Sequence, residues 1–337
     1  MEQTLGNVSH YLNLRAHEAQ ARSIAPEWIP IDFRPGTLPW ALRGSLLARR
    51  ALASVPADVA GCFVHTTTIA LLLSGRLGKK PTVLSTDGPP MAKRDMRPLY
   101  GLDSENNAAR NLKRAIYRRT FRRAAGFVTW SNWGKASFVN DYGCRDEDVA
   151  VIPPGIDTSA FVPAAPAKRM PRILFVGGDF VRKGGELLLD VFRKRFRGRA
   201  QLVLVTGSPV PEEADVEVHR NLAANSPQLR ALYAGCDLFA LPTRADCYSI
   251  VAIEALASGL PVVTTRVGGI PDIVVEGKTG HLIDVDDAAA LGDALESIVS
   301  DPRERAAMSA AGRKDAVARY DIRDTARRLF EFVAGRC

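Results

Sequence analysis

The sequence lacks any apolar run close to the roughly 20 uninterrupted residues that a helical membrane span needs, so a chain threaded through a bilayer on helices is not expected. Its opening, MEQTLGNVSHYLNLRAHEA, lacks a basic segment followed by an apolar core. No secretory signal is therefore readable, and the cytoplasm is the expected compartment. Close cysteine pairs are missing too. The five cysteines (Cys62, Cys144, Cys236, Cys247, Cys337) are odd in number, scattered and without metal-ligand spacing, which favours reduced thiols over disulfides or a zinc site. With 46% hydrophobic and 24% charged residues the composition excludes wholesale disorder, and 337 residues are enough for two domains of ordinary size.

Acidic residues are the scarcer sign, 37 against 45 Lys and Arg, for a formal charge of +8. An anionic partner is expected, and charge alone does not choose among nucleotide, membrane and nucleic acid. No nucleic-acid motif accompanies the charge, so no nucleic-acid partner is expected. The basic residues concentrate in AARNLKRAIYRRTFRRAAG, Ala108 to Gly126. On a helix, Leu112, Ile116, Tyr117, Phe121 and Ala124 line one face, while Arg110, Lys113, Arg114, Arg118, Arg119, Arg122 and Arg123 cover the rest. Two readings stand side by side: a solvated surface helix, or a 108–124 patch for an anionic membrane or acidic acceptor. The second would put the protein at the inner face of the plasma membrane, as a peripheral protein.

Short apolar runs alternate with helical patterns almost throughout. The candidate strands are EWIPIDF, VAGCFVHT, PTVLSTD, GFVTWS and DVAVIPPG, then RILFVGG, AQLVLVTG, DLFALPT, LPVVTT and GHLIDV. They are continuous rather than alternating in hydrophobicity, which predicts parallel sheets covered by helices on both faces. The stretch DTSAFVPAAPAKRMP, Asp157 to Pro171, rich in Pro and Ala, reads as an interdomain linker. Two doubly wound α/β domains result, 1–160 and 161–337, with a cleft between the carboxyl ends of their strands and the last helix a candidate to pack back on the N-terminal domain. No strand precedes the first helix, expected from about Val8 to Ala21, although such a domain normally opens with a strand and a Gly-rich turn. Gly6 is the candidate remnant of that turn; either the first strand is missing or the start lies upstream.

Chemistry concentrates in the second half. FVGGDFVRKGGELLLDVF sets Arg182 and Lys183 between a strand and a helix entered through Gly184 and Gly185, an anion site suited to a diphosphate. RADCYSIVAIEALASGLPVVTT places Asp246 eight residues before Glu254, the one charge in a helix apolar on every face. A carboxylate there is costly unless a side chain or ligand partners it. Asp246 and Ser249 can cap this helix, leaving the amides of Tyr248, Ser249 and Ile250 to receive phosphate. An axial separation on the order of 10 Å between the carboxylates is too long for a retaining glycosidase pair, but suits a ligand with hydroxyl groups at both ends of a diphosphate. The plainer alternative is a capping Asp and a core Glu bonded to a neighbour.

With DCYSIVAIEALASGLPVVTTRVGGIPDIV read in full, the sequence resembles the retaining family 4 glycosyltransferases of the GT-B fold, whose motif is Glu, seven residues, Glu. VIPPGID, LYAGCDLFALPT, TGHLIDVDD and the LFVGG-to-KGG segment fall in the expected order. The resemblance implies that Glu254 binds the nucleotide ribose, that the amides of Tyr248 to Ile250 receive the diphosphate, and that Lys183 neutralises it. Asp246 stands where the family usually has Glu, which keeps the charge and shortens its reach to the donor sugar. Gly178 stands where the family commonly has Arg, and Arg182 is the candidate replacement for that cation.

In the first domain, His65 and Asp87 end strands and are candidates for the catalytic side. No cofactor or metal is expected: the DVDD at Asp284 to Asp287 leads into an outer helix, and relatives of this fold generally need no metal ion. The expected activity is transfer of a sugar from a nucleoside-diphosphate sugar to a glycan or lipid-linked saccharide, with retention of configuration and no protein nucleophile. The alternatives are a nucleotide-sugar epimerase and an inactive GT-B module that binds nucleotide or partner proteins.

Overall fold

The computed structural model describes residues 7–22, 24–31, 40–77, 79–101, 106–164 and 169–337. Its contacts divide the chain into two units, Met1–Gly155 with Ile322–Cys337, and Ile156–Asp321. No helix among the described residues is long and apolar enough to cross a membrane.

The first unit opens on α1 (Asn7–Ala16), followed by a short 3-10 turn at Glu18–Gln20 rather than the continuous helix to Ala21 that the sequence suggests. Gly6 lies outside the described residues. Helix α2 (Trp40–Ala53) leads to β1 (Cys62–His65), α3 (Ser74–Leu77), β2 (Thr82–Thr86), α4 (Asn107–Phe121), β3 (Gly126–Thr129), α5 (Asn132–Tyr142) and β4 (Val149–Val151). The four strands are parallel and stand in the order β1-β2-β3-β4. Of the expected strand EWIPIDF, residues 27–30 form no strand.

Period-2 alternation sorts each strand between two faces. Leu84 and Phe127 pack in one cluster with Tyr117, Phe121 and Phe138 from α4 and α5. Their neighbours Val83 and Val128 pack on the other face with Tyr11 and Leu14 of α1 and with Ile322, Leu329 and Val333 of α11 (Ile322–Ala334). Buried apolar residues on both sides are why these strands read as continuous hydrophobic runs.

The second unit begins at Ile156, whose amide donates to the Tyr320 carbonyl. The start of the expected linker is packed: Thr158 and Phe161 are buried, and Arg313 donates to the carbonyls of both. The unit then runs through β5 (Arg172–Val176), α6 (Gly185–Arg195), β6 (Gln201–Val205), β7 (Val216–His219), α7 (Pro227–Ala234), β8 (Leu238–Leu241), α8 (Ile250–Ala257), β9 (Val262–Thr265), β10 (Gly280–Ile283), α9 (Ala288–Ser300) and α10 (Pro302–Tyr320). Strand β7, VEVH, is half exposed at the sheet edge, and its short alternating pattern carries too little hydrophobicity to be picked out by composition.

All six strands are parallel, in the order β7-β6-β5-β8-β9-β10. In chain order within this unit that is 3-2-1-4-5-6, the doubly wound arrangement, and its direction reverses between β5 and β8. Ligands of such sheets bind beyond the carboxyl ends of the two strands that flank the reversal, because the loops leaving them diverge to opposite faces and open a crevice. The loops in question are Gly177–Gly184 and Pro242–Ser249.

Candidate functional site

The loop after β5 is built to deliver Lys183. Gly184 caps α6 with φ of 76°, and a Cβ added there would overlap the Pro242 carbonyl oxygen at the end of β8. Only glycine meets both demands, a left-handed backbone and contact with a neighbouring main chain. Asp179 closes the loop from the other end, accepting from the Arg182 amide at 3.1 Å and from Arg182 Nε at 3.0 Å. Arg182 in turn donates from its guanidinium to the Ala245 carbonyl at 2.8 Å, and the Arg244 amide donates to the Arg182 carbonyl at 2.8 Å.

The two loops are thereby stitched side by side, and Lys183 Nζ forms an ion pair with Asp246 Oδ2. Their side chains are 15% and 10% exposed, so the pair sits at the edge of solvent with both charges largely desolvated. Arg182 is spoken for. With Nε on Asp179 and one terminal nitrogen on a carbonyl, it ties the loops together.

Asp246 lies outside α8, which starts at Ile250, so it neither caps that helix nor shares its axis with Glu254. The axial spacing expected between the two carboxylates therefore does not apply. Ser249 holds the N-cap position without a side-chain cap bond, and its Oγ is buried with no partner among the described residues. The first amides of a helix have no intrahelical acceptor, so Ser249 and Ile250 present donors at the same helix start. The segment Val267–Gly269 backs this turn: Gly268 has φ of 55°, a Cβ there would overlap the Asp246 carbonyl oxygen, and the Gly269 amide donates to the Cys247 carbonyl at 2.9 Å. Tyr248 is buried, with its phenol bonded to that of Tyr320.

Glu254 is 3% exposed, and its partner is Tyr233 of α7, whose hydroxyl donates to Oε2 at 2.9 Å. One neutral donor offsets part of the burial cost: burial pushes the Glu254 carboxyl up to about 7, and the Tyr233 bond draws it only partly back. In the native state the carboxyl holds its proton across a range where the unfolded chain has lost it. Unfolding stability should therefore fall as pH rises from about 4.5 to about 7 and level off above, a contribution of roughly 3 kcal/mol from this group. Glu254→Gln should flatten that segment of a stability-versus-pH curve measured by urea unfolding; an unchanged slope would assign the pH dependence elsewhere.

The first-unit candidates behave differently. His65 is fully buried, with Nδ1 against Ser85 Oγ at 3.1 Å, Nε2 against Asn7 Oδ1 at 3.1 Å, and Trp130 stacked on the ring at 5.5 Å. Burial, with the neighbouring His10, pushes its imidazolium form well below the usual histidine range. The catalytic role suggested for His65 has no exposed atom to act through. Asp87 is partly exposed but paired with Lys93 Nζ at 2.6 Å, and its Oδ1 also accepts from the Gly88 amide at 2.9 Å, which folds the turn after β2. Among the described residues no cluster of three or more His, Cys, Asp or Glu could hold a metal ion.

Tyr233, Asp179 and the Val267–Gly269 backing are the site residues that motif reading missed. LYAGCDLFALPT contains the tyrosine, and a buried Glu in need of a donor was the signal; nothing in the sequence says which hydroxyl comes near.

This geometry, a reversal point carrying a lysine–aspartate pair beside a helix start, accompanies a match of residues 11–160 to the family described as Glycosyltransferase Family 4. Residues 170–301 match the one described as Glycosyl transferases group 1. The chain belongs to this glycosyltransferase family. Its fold is that of the GT-B glycosyltransferases, two Rossmann-like units with parallel sheets. Among curated relatives, the GDP-mannose-dependent alpha-(1-6)-phosphatidylinositol monomannoside mannosyltransferase of Mycolicibacterium smegmatis is 34% identical over 63% of this chain and 63% of its own. The D-inositol 3-phosphate glycosyltransferase of Corynebacterium efficiens is 31% identical over 51% of this chain and 48% of its own. The chain thus spans about half to just under two thirds of the length of these relatives. Anabaena Alr3699/HepE, solved in complex with UDP and glucose, superposes with a TM-score of 0.73 over 98% of this chain and 97% of its own at 16% identity, a likeness of fold.

Proposed function

We propose that this chain transfers a sugar from a nucleoside-diphosphate sugar to a glycan or lipid-linked saccharide, with retention at the anomeric carbon. The observation that carries the reading is the Lys183–Asp246 pair at the reversal of the second sheet, next to an α8 start whose buried Ser249 hydroxyl has no partner among the described residues. A diphosphate arriving there meets a lysine and helix amides, all donors. Lys183 would exchange Asp246 for phosphate, which frees the Asp246 carboxylate to accept from a hydroxyl of the donor sugar. Glu254, deeper in α8, would accept from the ribose hydroxyls, and their donation would favour its ionised form over the proton it holds when unliganded.

Charge builds on the leaving diphosphate as the glycosidic bond breaks. Lys183 and the amides of Ser249 and Ile250, already oriented by Gly184 and by the Gly268 backing, would stabilise that charge without reorganising. With no nucleophile in evidence, attack from the departing side assisted by a phosphate oxygen is the retaining route. No metal or cofactor is invoked. The relatives support a nucleoside-diphosphate donor in kind: the mycobacterial relative's name specifies GDP-mannose, and the Anabaena structure holds UDP. The same relative's name specifies a phosphatidylinositol-based acceptor, which supports a lipid-linked substrate here.

The test is turnover. The full chain, supplied with a panel of nucleotide sugars and candidate acceptors, should release nucleoside diphosphate and give product whose anomeric proton coupling matches the donor's. Inverted product would refute retention. Epimerisation without an acceptor, or nucleotide binding without any chemistry, would favour the two alternative readings instead.

The basic helix supports a peripheral position at an anionic membrane, though not with every arginine. Arg118 Nε donates to the Tyr142 carbonyl at 3.2 Å and Arg123 to the Ser74 carbonyl at 2.7 Å, so both brace the unit. Arg119, Arg122 and the 64%-exposed Leu112 remain at the surface. A double Arg119→Gln and Arg122→Gln variant should lose about 2 kcal/mol of binding to anionic vesicles at low salt, about 1 kcal/mol per cation, with nucleotide affinity unchanged. Cosedimentation equal to the parent chain would leave this surface as scaffold.

A further inference from the structure

The first unit contains a cavity of about 310 Å³ between the 3-10 segment Arg94–Tyr100 and one face of α4. Arg94, Arg97, Arg110, Lys113 and Arg114 line it, and among the described residues one carboxylate joins them, that of Asp95, which lies 3.4 Å from Arg94 Nε. Residues 110, 113, 114 and 117 fall at the i, i+3, i+4, i+7 spacing that normally turns an apolar stripe inward; here three of the four are cationic. Two of them are fixed by bonds to neutral oxygens. Arg110 donates to the side-chain oxygen of Asn107, and Arg114 Nε donates to the Asp141 backbone carbonyl at 2.7 Å.

The floor is of another kind. Met91, Pro98 and the rings of Tyr117 and Tyr142 form it, and both tyrosines are buried. Tyr142 Oη accepts from the Met91 amide at 3.0 Å, which leaves its own proton as a donor. Burial pushes the phenol far above its ordinary range, so that proton stays on. A volume near 300 Å³ lies at the small end of ligand pockets, and cationic walls reject metal ions while favouring planar, bidentate capture of phosphate oxygens by arginine.

We infer that this pocket binds a phosphate ester, with the phosphate held by Arg94 and Arg110 and the esterified carbon skeleton lying on the Tyr142–Pro98–Met91 floor. The ester can be a soluble sugar or polyol phosphate or the headgroup of a phospholipid; the recognised chemistry is the same. The pocket is lined by residues of the first unit, and the inference does not rest on the diphosphate assignment in the second.

The test uses the full chain with two probes, glycerol 3-phosphate by calorimetric titration and vesicles of equimolar phosphatidylcholine and phosphatidylglycerol by cosedimentation. An Arg94→Gln and Arg110→Gln double variant should weaken binding about tenfold or more, since each removes a charge-assisted contact. Asp95→Asn should tighten it a few-fold, roughly threefold, by removing a repulsive carboxylate that also pairs with Arg94, and it decides the matter should the double variant fold poorly. Changes confined to glycerol 3-phosphate identify a soluble ligand; changes confined to vesicles identify a lipid headgroup. If the Asp95→Asn chain and the parent bind both probes identically, the pocket is not a phosphate site. UDP and GDP titrations on the same proteins keep the two sites distinct, because failure of nucleotide binding counts against the donor reading alone.

Discussion

Lys183→Ala should lower kcat by about 10²- to 10³-fold while weakening donor binding much less. Lys183 lies where the loops from β5 and β8 run side by side, and in the unliganded chain its charge is balanced by Asp246. Part of what it gains from the donor's diphosphate in the ground state is therefore offset by breaking that pair. The gain grows as the leaving phosphate takes on the electrons of the glycosidic bond, so the loss should fall on kcat and not on KM. Loss in KM alone would mean that Lys183 binds without assisting departure. Arg182→Ala is the paired control, and the structure changes what it reports. Because Arg182 bridges Asp179 and the Ala245 carbonyl, its removal should reduce thermal stability as well as turnover; Lys183→Ala strips the partner from a largely desolvated Asp246 and should also cost stability, so the split between kcat and KM is what separates the two variants.

The second large effect is structural. Gly184→Ala should destabilise the chain by about 4 kcal/mol, since the new methyl meets the Pro242 carbonyl and the backbone is held at φ of 76°. Relief requires the loop to move off the end of β8, and Lys183 moves with it, so residual activity should fall together with stability. Gly178→Ala, six residues earlier in the same loop, is the contrast: a Cβ there meets nothing within 4 Å, and the effect should stay within about 0.5 kcal/mol. Equal tolerance at both positions, read by denaturant unfolding, would show that the tight approach at Gly184 does not exist in solution.

The sheets were legible in the sequence because burial on both faces leaves unbroken apolar runs, and RILFV, QLVLV, LFAL and VVTT each became a strand. Strand β7 was not legible, being an edge strand with one face open to solvent. EWIPIDF resembles a strand by composition, yet Glu27–Pro30 has none, and Pro30 could donate nothing to a ladder. In the site, the motif picked out Lys183, Asp246 and Glu254 because charge beside glycine or inside an apolar helix is costly and therefore informative. It did not yield their pairings. That Lys183 meets Asp246, that Arg182 reaches the Ala245 carbonyl, and that Tyr233 reaches Glu254 are long-range facts, separated in sequence by 63, 63 and 21 residues. His65 illustrates the converse: a histidine ending a strand reads as catalytic by position, and only its packing against Trp130 and His10 reveals a core residue.

The central claim is that the second unit holds a nucleoside diphosphate at the reversal of its sheet. The most direct test is thermal unfolding of the full chain, alone and with UDP, GDP and their sugar conjugates, repeated with Lys183→Ala. A nucleotide present at 100 times its Kd stabilises by about 2.7 kcal/mol, a shift of several degrees for a chain of this size. The parent chain should show such a shift with at least one nucleoside diphosphate, and the variant a smaller one. Identical melting with and without every nucleotide, in a chain that is otherwise folded, would contradict the claim.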